Sequence, residues 1–158
     1  MVLQFLKQNL ESKIELDFKS CPDLVLPFAV ACLCKGVEFK FSGVKNLRLK
    51  ESDRIASLQS EALKIGFVVE VNDSNGEETL EWHGKRVELN DKEDGSPLID
   101  PHGDHRVAMA FAMTAFTNGE VRIQHPEVVE KSFIDFWNQL GAAGLQCHED
   151  NDIMTVKK

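Results

Sequence analysis

The sequence predicts an α/β fold built from repeated βαβαββ units, with helices packed on mixed sheets. Three observations predict it. Short segments that alternate apolar and polar residues, as half-buried strands do, are interleaved with apolar segments of helical period. The same order of elements occurs twice along the chain. Each helical segment ends at a glycine (Gly36, Gly66, Gly119 or Gly141), the residue best able to close a helix in the left-handed conformation. Strands alternating with helices need crossover connections, and these lay the helices on the sheets. At 158 residues, 42% apolar and 28% charged, the chain is long enough to bury a core without staples.

In the first copy, residues 14–18 (IELDF) alternate and form a strand. Residues 22–34 follow as an apolar helix closed by Gly36, and Pro27 makes that helix either start late or bend. Residues 37–41 (VEFKF) are the second strand. Residues 53–65 carry Ile55, Leu58, Ala62 and Ile65 on one face, a helix closed by Gly66. Strands at 67–71 and 79–82 flank the turn-rich NDSNGE, and 86–89 is a further candidate strand. In the second copy, residues 107–116 form an apolar helix ending at Asn118-Gly119, with a strand at 121–124. A helix at 131–140 is stopped by Gly141, and strands at 145–148 and 153–156 complete the copy. The two units span residues 14–90 and 97–157. The opening MVLQFLKQNL fits neither, so residues 1–12 are expected to be the remnant of a preceding unit in a longer protein.

The charge balance, 18 − 26 = −8 with histidines neutral, excludes a general nucleic-acid or anionic-membrane binder. The longest apolar stretch, residues 24–34, is too short to span a bilayer, and the start lacks the pattern of a signal peptide. A cytoplasmic protein with no membrane or nucleic-acid partner is expected. Cys32 and Cys34 point to different sides of a helix, and Cys21 and Cys147 have no partner at metal-ligand spacing, so the cysteines read as reduced thiols.

Within an acidic chain, cations gathered at one place are informative. Lys50 and Arg54 lie four apart where the helix at Asp53 begins, and Glu51 sits between them. Cations there oppose the helix dipole unless an anion, held by free helix amides, is the expected occupant. Glu51 could then move a proton. The plain alternative is a solvated helix start, with Glu51 and Asp53 serving the dipole. Asp100-Pro-His102-Gly-Asp104-His105-Arg106 again sets a cation and a histidine before a helix, one expected to begin at Val107. His102-x-x-His105 raises a metal question, but it lacks a third strong ligand and has Arg106 beside it, so no metal is expected. Lys131 opens the next helix, and Asp23 lies at the mouth of the first, where a capping aspartate is the plain reading. If the three helix starts converge, they form a cage for a multiply charged small anion.

Four stretches, PDLVLPFAVA, NLRLKESDRIASLQSEALKIG, GDHRVAMAFA and EKSFIDFWNQL, occur in the order and spacing of a known family. From residue 14 to its end the chain resembles the C-terminal third of the 5-enolpyruvylshikimate-3-phosphate synthase family. The strings LKESDR and GDHRVAMA carry most of the specificity. That resemblance implies two domains of three βαβαββ units each, with this chain holding the last two units of one domain. It implies transfer of the enolpyruvyl group of phosphoenolpyruvate to the 5-hydroxyl of shikimate 3-phosphate, within aromatic amino acid biosynthesis. Asp23 resembles the acid near the 5-hydroxyl, and Asn46 a shikimate 3-phosphate contact. Lys50 resembles the lysine between the substrates, and Glu51 the carboxyl that exchanges the methylene proton. Arg54, Arg106 and Lys131 resemble the cations around phosphoenolpyruvate, and His105 the histidine among them. No metal or organic cofactor is implied. The missing N-terminal portion is an implied partner, and the isolated chain is expected to be inactive. The alternatives are an enolpyruvyl transferase acting on UDP-N-acetylglucosamine, which would not be expected to show both strings, and a non-catalytic anion-binding module.

Overall fold

The chain divides into two units, Met1–Val87 and Glu88–Lys158, and the structure, a computed structural model, describes residues 13–89 and 96–158. The opening decapeptide and the end of the first copy at residue 90 lie outside the described residues.

In the first unit, β1 (Lys13–Asp17) leads through a 3-10 turn (Pro22–Leu24) into helix α1 (Val25–Lys35) and then β2 (Glu38–Ser42). A second 3-10 segment (Lys45–Leu49) precedes α2 (Arg54–Lys64), and the hairpin β3 (Glu70–Ser74) and β4 (Glu77–Trp82) follows. The sheet order is β1-β2-β4-β3; β1 and β2 are parallel, as the α1 crossover requires, and the other pairs antiparallel. Phe39 and Phe41 stack at 4.4 Å, Phe18 meets Phe41 edge-on at 4.8 Å, and Leu26, Leu33, Ile55, Leu58 and Leu80 are buried with them. Fully burying each such side chain stabilises the fold by ~1.5–3 kcal/mol.

In the second unit, β5 (Leu98–Ile99) is followed by α3 (His105–Ala112), α4 (Ala115–Asn118) and β6 (Glu120–Gln124). Then come a 3-10 segment (Pro126–Lys131), α5 (Phe136–Ala142), β7 (Gln146–Asp150) and β8 (Ile153–Lys157). Its sheet order, β5-β6-β8-β7, repeats the pattern of the first.

Several boundaries differ from expectation. Of the two alternatives for Pro27, the helix starts late: α1 begins at Val25, after the Pro22–Leu24 turn, and Pro27 occupies its first turn, where its missing N–H costs no bond. The third strand runs over Glu70–Ser74 rather than 67–71, because Asn75 (φ 58°) and Gly76 (φ 82°) alone make the turn and the ladder extends to Ser74↔Glu77. Residues 86–89 form no strand; Phe67 and Arg86 make one isolated bridge. Helix α3 begins at His105 rather than Val107, since Asp104 caps it. It breaks after Ala112, where the buried Thr114 hydroxyl donates to the Phe111 carbonyl at 2.7 Å. The helix expected at 131–140 starts instead at Phe136 and runs through Gly141. The stop is Ala143 followed by Gly144 (φ 98°), the counterpart of Gly66 (φ 89°). Among the described residues no helix is long and apolar enough to cross a membrane.

Candidate functional site

The start of α2 organises the first cluster. Asp53 adopts extended backbone dihedrals, and its Oδ1 accepts from the amides of Ile55 (3.1 Å) and Ala56 (3.0 Å). Two amides expected to hold an anion are therefore already bonded to a carboxylate, and the dipole has its negative partner. Arg54 follows as the first helical residue with its side chain only 2% exposed. Its Nη1 donates to Asp23 Oδ1 at 3.0 Å and its Nη2 to Glu51 Oε2 at 2.6 Å. Lys50 Nζ lies 3.8 Å from the same Asp23 oxygen. Asp23 is thus not a cap: the helix after it has no side-chain cap, and its carboxylate faces α2 instead.

Lys50 and Arg54 do not share a helical face, as their spacing had suggested. Lys50 is extended (φ −94°, ψ −160°), and it meets Arg54 through Asp23. The result is two cations and two carboxylates, with the arginine as a buried base and Asp23, Lys50 and Glu51 as a part-exposed rim. Such a rim can present a carboxyl and an ammonium to a bound molecule while its geometry is held from below. Asn46, also exposed, lies on the 3-10 segment and lines a separate concavity of ≈ 380 Å³ with Lys19, Lys45 and Gly43.

The second cluster lies at the start of α3. Asp104 is fully buried and accepts from the Arg106 amide at 2.9 Å. His105, 7% exposed, faces inward with its Nδ1 lacking a hydrogen-bond partner, and Arg106 is half-buried beside it. Before them, Asp100 Oδ1 accepts from the His102 amide at 2.7 Å, and His102 (φ 53°) and Gly103 (φ 70°) turn the chain. Lys131 does not open a helix: it ends the Pro126–Lys131 segment. It still reaches this cluster, donating from Nζ to the Gly103 carbonyl at 3.0 Å.

His102, in an exposed turn, and buried His105 are not gathered for an ion. The described residues that could surround one are His125, Glu127 and Asp152 at the surface, with ligand atoms within 4.8 Å of one another and His125 Nδ1 already 2.6 Å from Asp152. All four cysteines are free, and burial pushes the Cys32 thiol up to about 12. Arg48 and Glu78 had no place in the sequence reading. Arg48 Nε donates to both Glu78 oxygens at 3.0 Å, and its Nη1 to Asp53 Oδ2 at 3.0 Å. An arginine two residues before the LKESDR lysine was the available signal, but nothing local points to a partner on β4.

A family model described as EPSP synthase (3-phosphoshikimate 1-carboxyvinyltransferase) matches residues 4–140. A 3-phosphoshikimate 1-carboxyvinyltransferase of Bacteroides fragilis is 40% identical over 134 residues, which cover 84% of this chain and 31% of that protein. The enzyme of the same name from Methanopyrus kandleri is 36% identical over 140 residues, covering 85% of this chain and 29% of the other. A solved structure of EPSP synthase from Acinetobacter baumannii aligns with a TM-score of 0.57 at 28% identity, covering 85% of this chain and 28% of that one. The chain thus spans less than a third of the length of these relatives.

Proposed function

The chain belongs to the EPSP synthase family, and on that premise we propose that it is part of an enzyme that transfers the enolpyruvyl group of phosphoenolpyruvate to the 5-hydroxyl of shikimate 3-phosphate. The reaction is cytoplasmic and needs no cofactor. The methylene carbon of phosphoenolpyruvate takes a proton while the 5-hydroxyl oxygen bonds to the neighbouring carbon and gives up its own proton. The tetrahedral adduct then breaks its carbon–oxygen bond to phosphate and loses a methyl proton, restoring the enol ether and releasing inorganic phosphate.

Glu51 is the group that delivers and recovers the carbon-bound proton, since it stands on the rim beside Lys50 and is aimed by Arg54. Asp23 takes the hydroxyl proton. Lys50 holds both substrates, with Asn46 contacting shikimate 3-phosphate. Arg54, Arg106 and Lys131 offset the carboxylate and phosphate of phosphoenolpyruvate, whose charge grows as phosphate leaves, and His105 assists there. Arg54 contributes from behind Asp23 and Glu51, through the two carboxylates it orients. The observation that carries this reading is the assembly of Asp23, Lys50 and Glu51 around one buried arginine, three of them within the family's LKESDR string.

The groups that position shikimate 3-phosphate belong largely to the two-thirds of the relatives that this chain does not span. Placing two substrates together is worth ~7–11 kcal/mol of barrier, so the chain alone is expected to be inactive. The test measures phosphate release from both substrates by the chain alone and after addition of the remaining portion in trans. In the assembled protein Glu51→Gln and Lys50→Met should lower kcat far more than they raise KM, because both act on groups whose charge changes along the reaction. Near-normal turnover in either variant removes that residue from the catalytic set, and turnover by the chain alone refutes the half-site argument.

A further inference from the structure

We propose that Arg48 is the positioning residue for Lys50 and Glu51, locking the loop that carries them to the sheet on one side and to the first turn of α2 on the other. The proposal rests on reading those two residues as part of an anion-binding site. Between β2 and α2 the chain offers little to hold a loop in place. Leu47 is buried, but Leu49 is 86% exposed and Lys50 is extended, so apolar packing ends before the residues that matter. Arg48 supplies what packing does not. Its Nε bonds both oxygens of Glu78 on β4, 30 residues away, and its Nη1 bonds Asp53 Oδ2, each at 3.0 Å.

Asp53 is divided between two tasks. Its Oδ1 caps the amides of Ile55 and Ala56, while its Oδ2 is held by Arg48. One guanidinium therefore ties the register of the helix start to the sheet. Lys50 and Glu51 are suspended between the two anchors, at 48 and 53, and the helix start also fixes Arg54, which grips Glu51 and Asp23. A planar guanidinium can bond two carboxylates in fixed directions at once, and an ammonium cannot. Removing it would also leave Glu78 and Asp53 as two facing carboxylates without their shared cation. The expected consequence is a helix start that frays and a Lys50–Glu51 loop that loses its position, with the core intact.

The test uses the 158-residue chain. Arg48→Met is compared with Arg48→Lys, with the double variant Arg48→Met/Glu78→Leu, and with Lys35→Met, which removes a positive charge elsewhere. One readout is amide hydrogen exchange at Ile55 and Ala56 relative to β2. The other is titration with inorganic phosphate, followed through the amide shifts of Lys50, Glu51 and Arg54. Arg48→Met should speed exchange at Ile55 and Ala56 and weaken phosphate binding, each about tenfold, the scale of one charge-assisted hydrogen bond. Arg48→Lys should recover part of both, and Lys35→Met should match the wild type. The double variant, in which no unpaired Glu78 remains, should keep weak binding and fast exchange. Unchanged exchange and unchanged Lys50 and Glu51 shifts in Arg48→Met overturn the proposal, as does a double variant that binds phosphate like the wild type, because Arg48 would then only neutralise Glu78. A wild-type chain that binds no phosphate refutes the anion-site reading instead, and the exchange arm alone then decides the role of Arg48.

Discussion

Replacing Arg54 by Met should destabilise the first unit by about 3 kcal/mol, with the cost residing in two ion pairs rather than in packing. Methionine retains the apolar stem that fills the buried position, so little cavity forms. What is lost is the pair of charge-assisted bonds to Asp23 (3.0 Å) and Glu51 (2.6 Å). Bonds of this kind contribute ~1.5–3 kcal/mol each, and the lower end applies here because the carboxylates face solvent on their far sides (47% and 42% exposed). Lys50, 3.8 Å from Asp23, softens the loss without replacing the fork.

Urea unfolding reads this out in a Trp137→Phe background, where fluorescence reports only Trp82, 2% exposed within the first unit. With a slope of about 2 kcal/mol per molar urea, the midpoint should fall by about 1.5 M. The fall should persist in about 0.5 M NaCl, because a guanidinium so well covered is screened little. Lys50→Met is the internal comparison. Its head is 34% exposed and its contact long, so it should cost less than ~1 kcal/mol. An Arg54→Met midpoint within error of the wild type, or a loss that disappears in salt, would refute the claim that Arg54 is the base on which the rim stands.

Further tests address the scaffold and its acid limit. Burial pushes the Glu81 carboxyl up, but bonds from Thr79 (2.6 Å), Lys40 (3.1 Å) and His83 (2.8 Å) outweigh it and hold the group at about 2, against an ordinary 4.5. A depressed carboxyl contributes stability that is fully present above the ordinary value and is lost as pH falls toward the folded one. Unfolding free energy of the first unit should therefore drop by about 3 kcal/mol between pH 4.5 and pH 2. Glu81→Gln should flatten that dependence, and an equally steep acid limb in the variant would exclude Glu81 as its source. Gly43→Ala should cost more than ~2 kcal/mol in a urea titration: φ is 70°, and a Cβ would collide with the Lys19 backbone nitrogen and with Asp17 Oδ1. A tolerated alanine would show that the turn lining the Asn46 concavity can shift.

The elements of regular period were legible in the amino-acid order, and so was the gathering of Lys50, Glu51 and Arg54 near the start of α2. β1, α1, β2, α2, β6 and β8 lie within a few residues of where alternation, helical period and stop glycines put them, because those signals are local and each element buries one face. Ends set by competition among neighbours were less legible. Both Asp100 and Asp104 precede α3, and only the fold selects Asp104 as the cap. After β6, Pro126 begins a 3-10 segment that ends at Lys131, and the helix read as opening there begins only at Phe136. LKESDR and GDHR identified which side chains to watch but not what they would touch. Arg54 bonds Asp23 across 31 residues, Arg48 bonds Glu78 across 30, and Lys131 bonds Gly103 across 28. Such pairings carry no periodic trace, since an ion pair needs only two groups delivered to one place, and crossover topology and loop closure do the delivering. The charges of the rim are therefore written in the residue types, whereas the burial of its central arginine and the fastening of its loop arise from how sheet and helices meet.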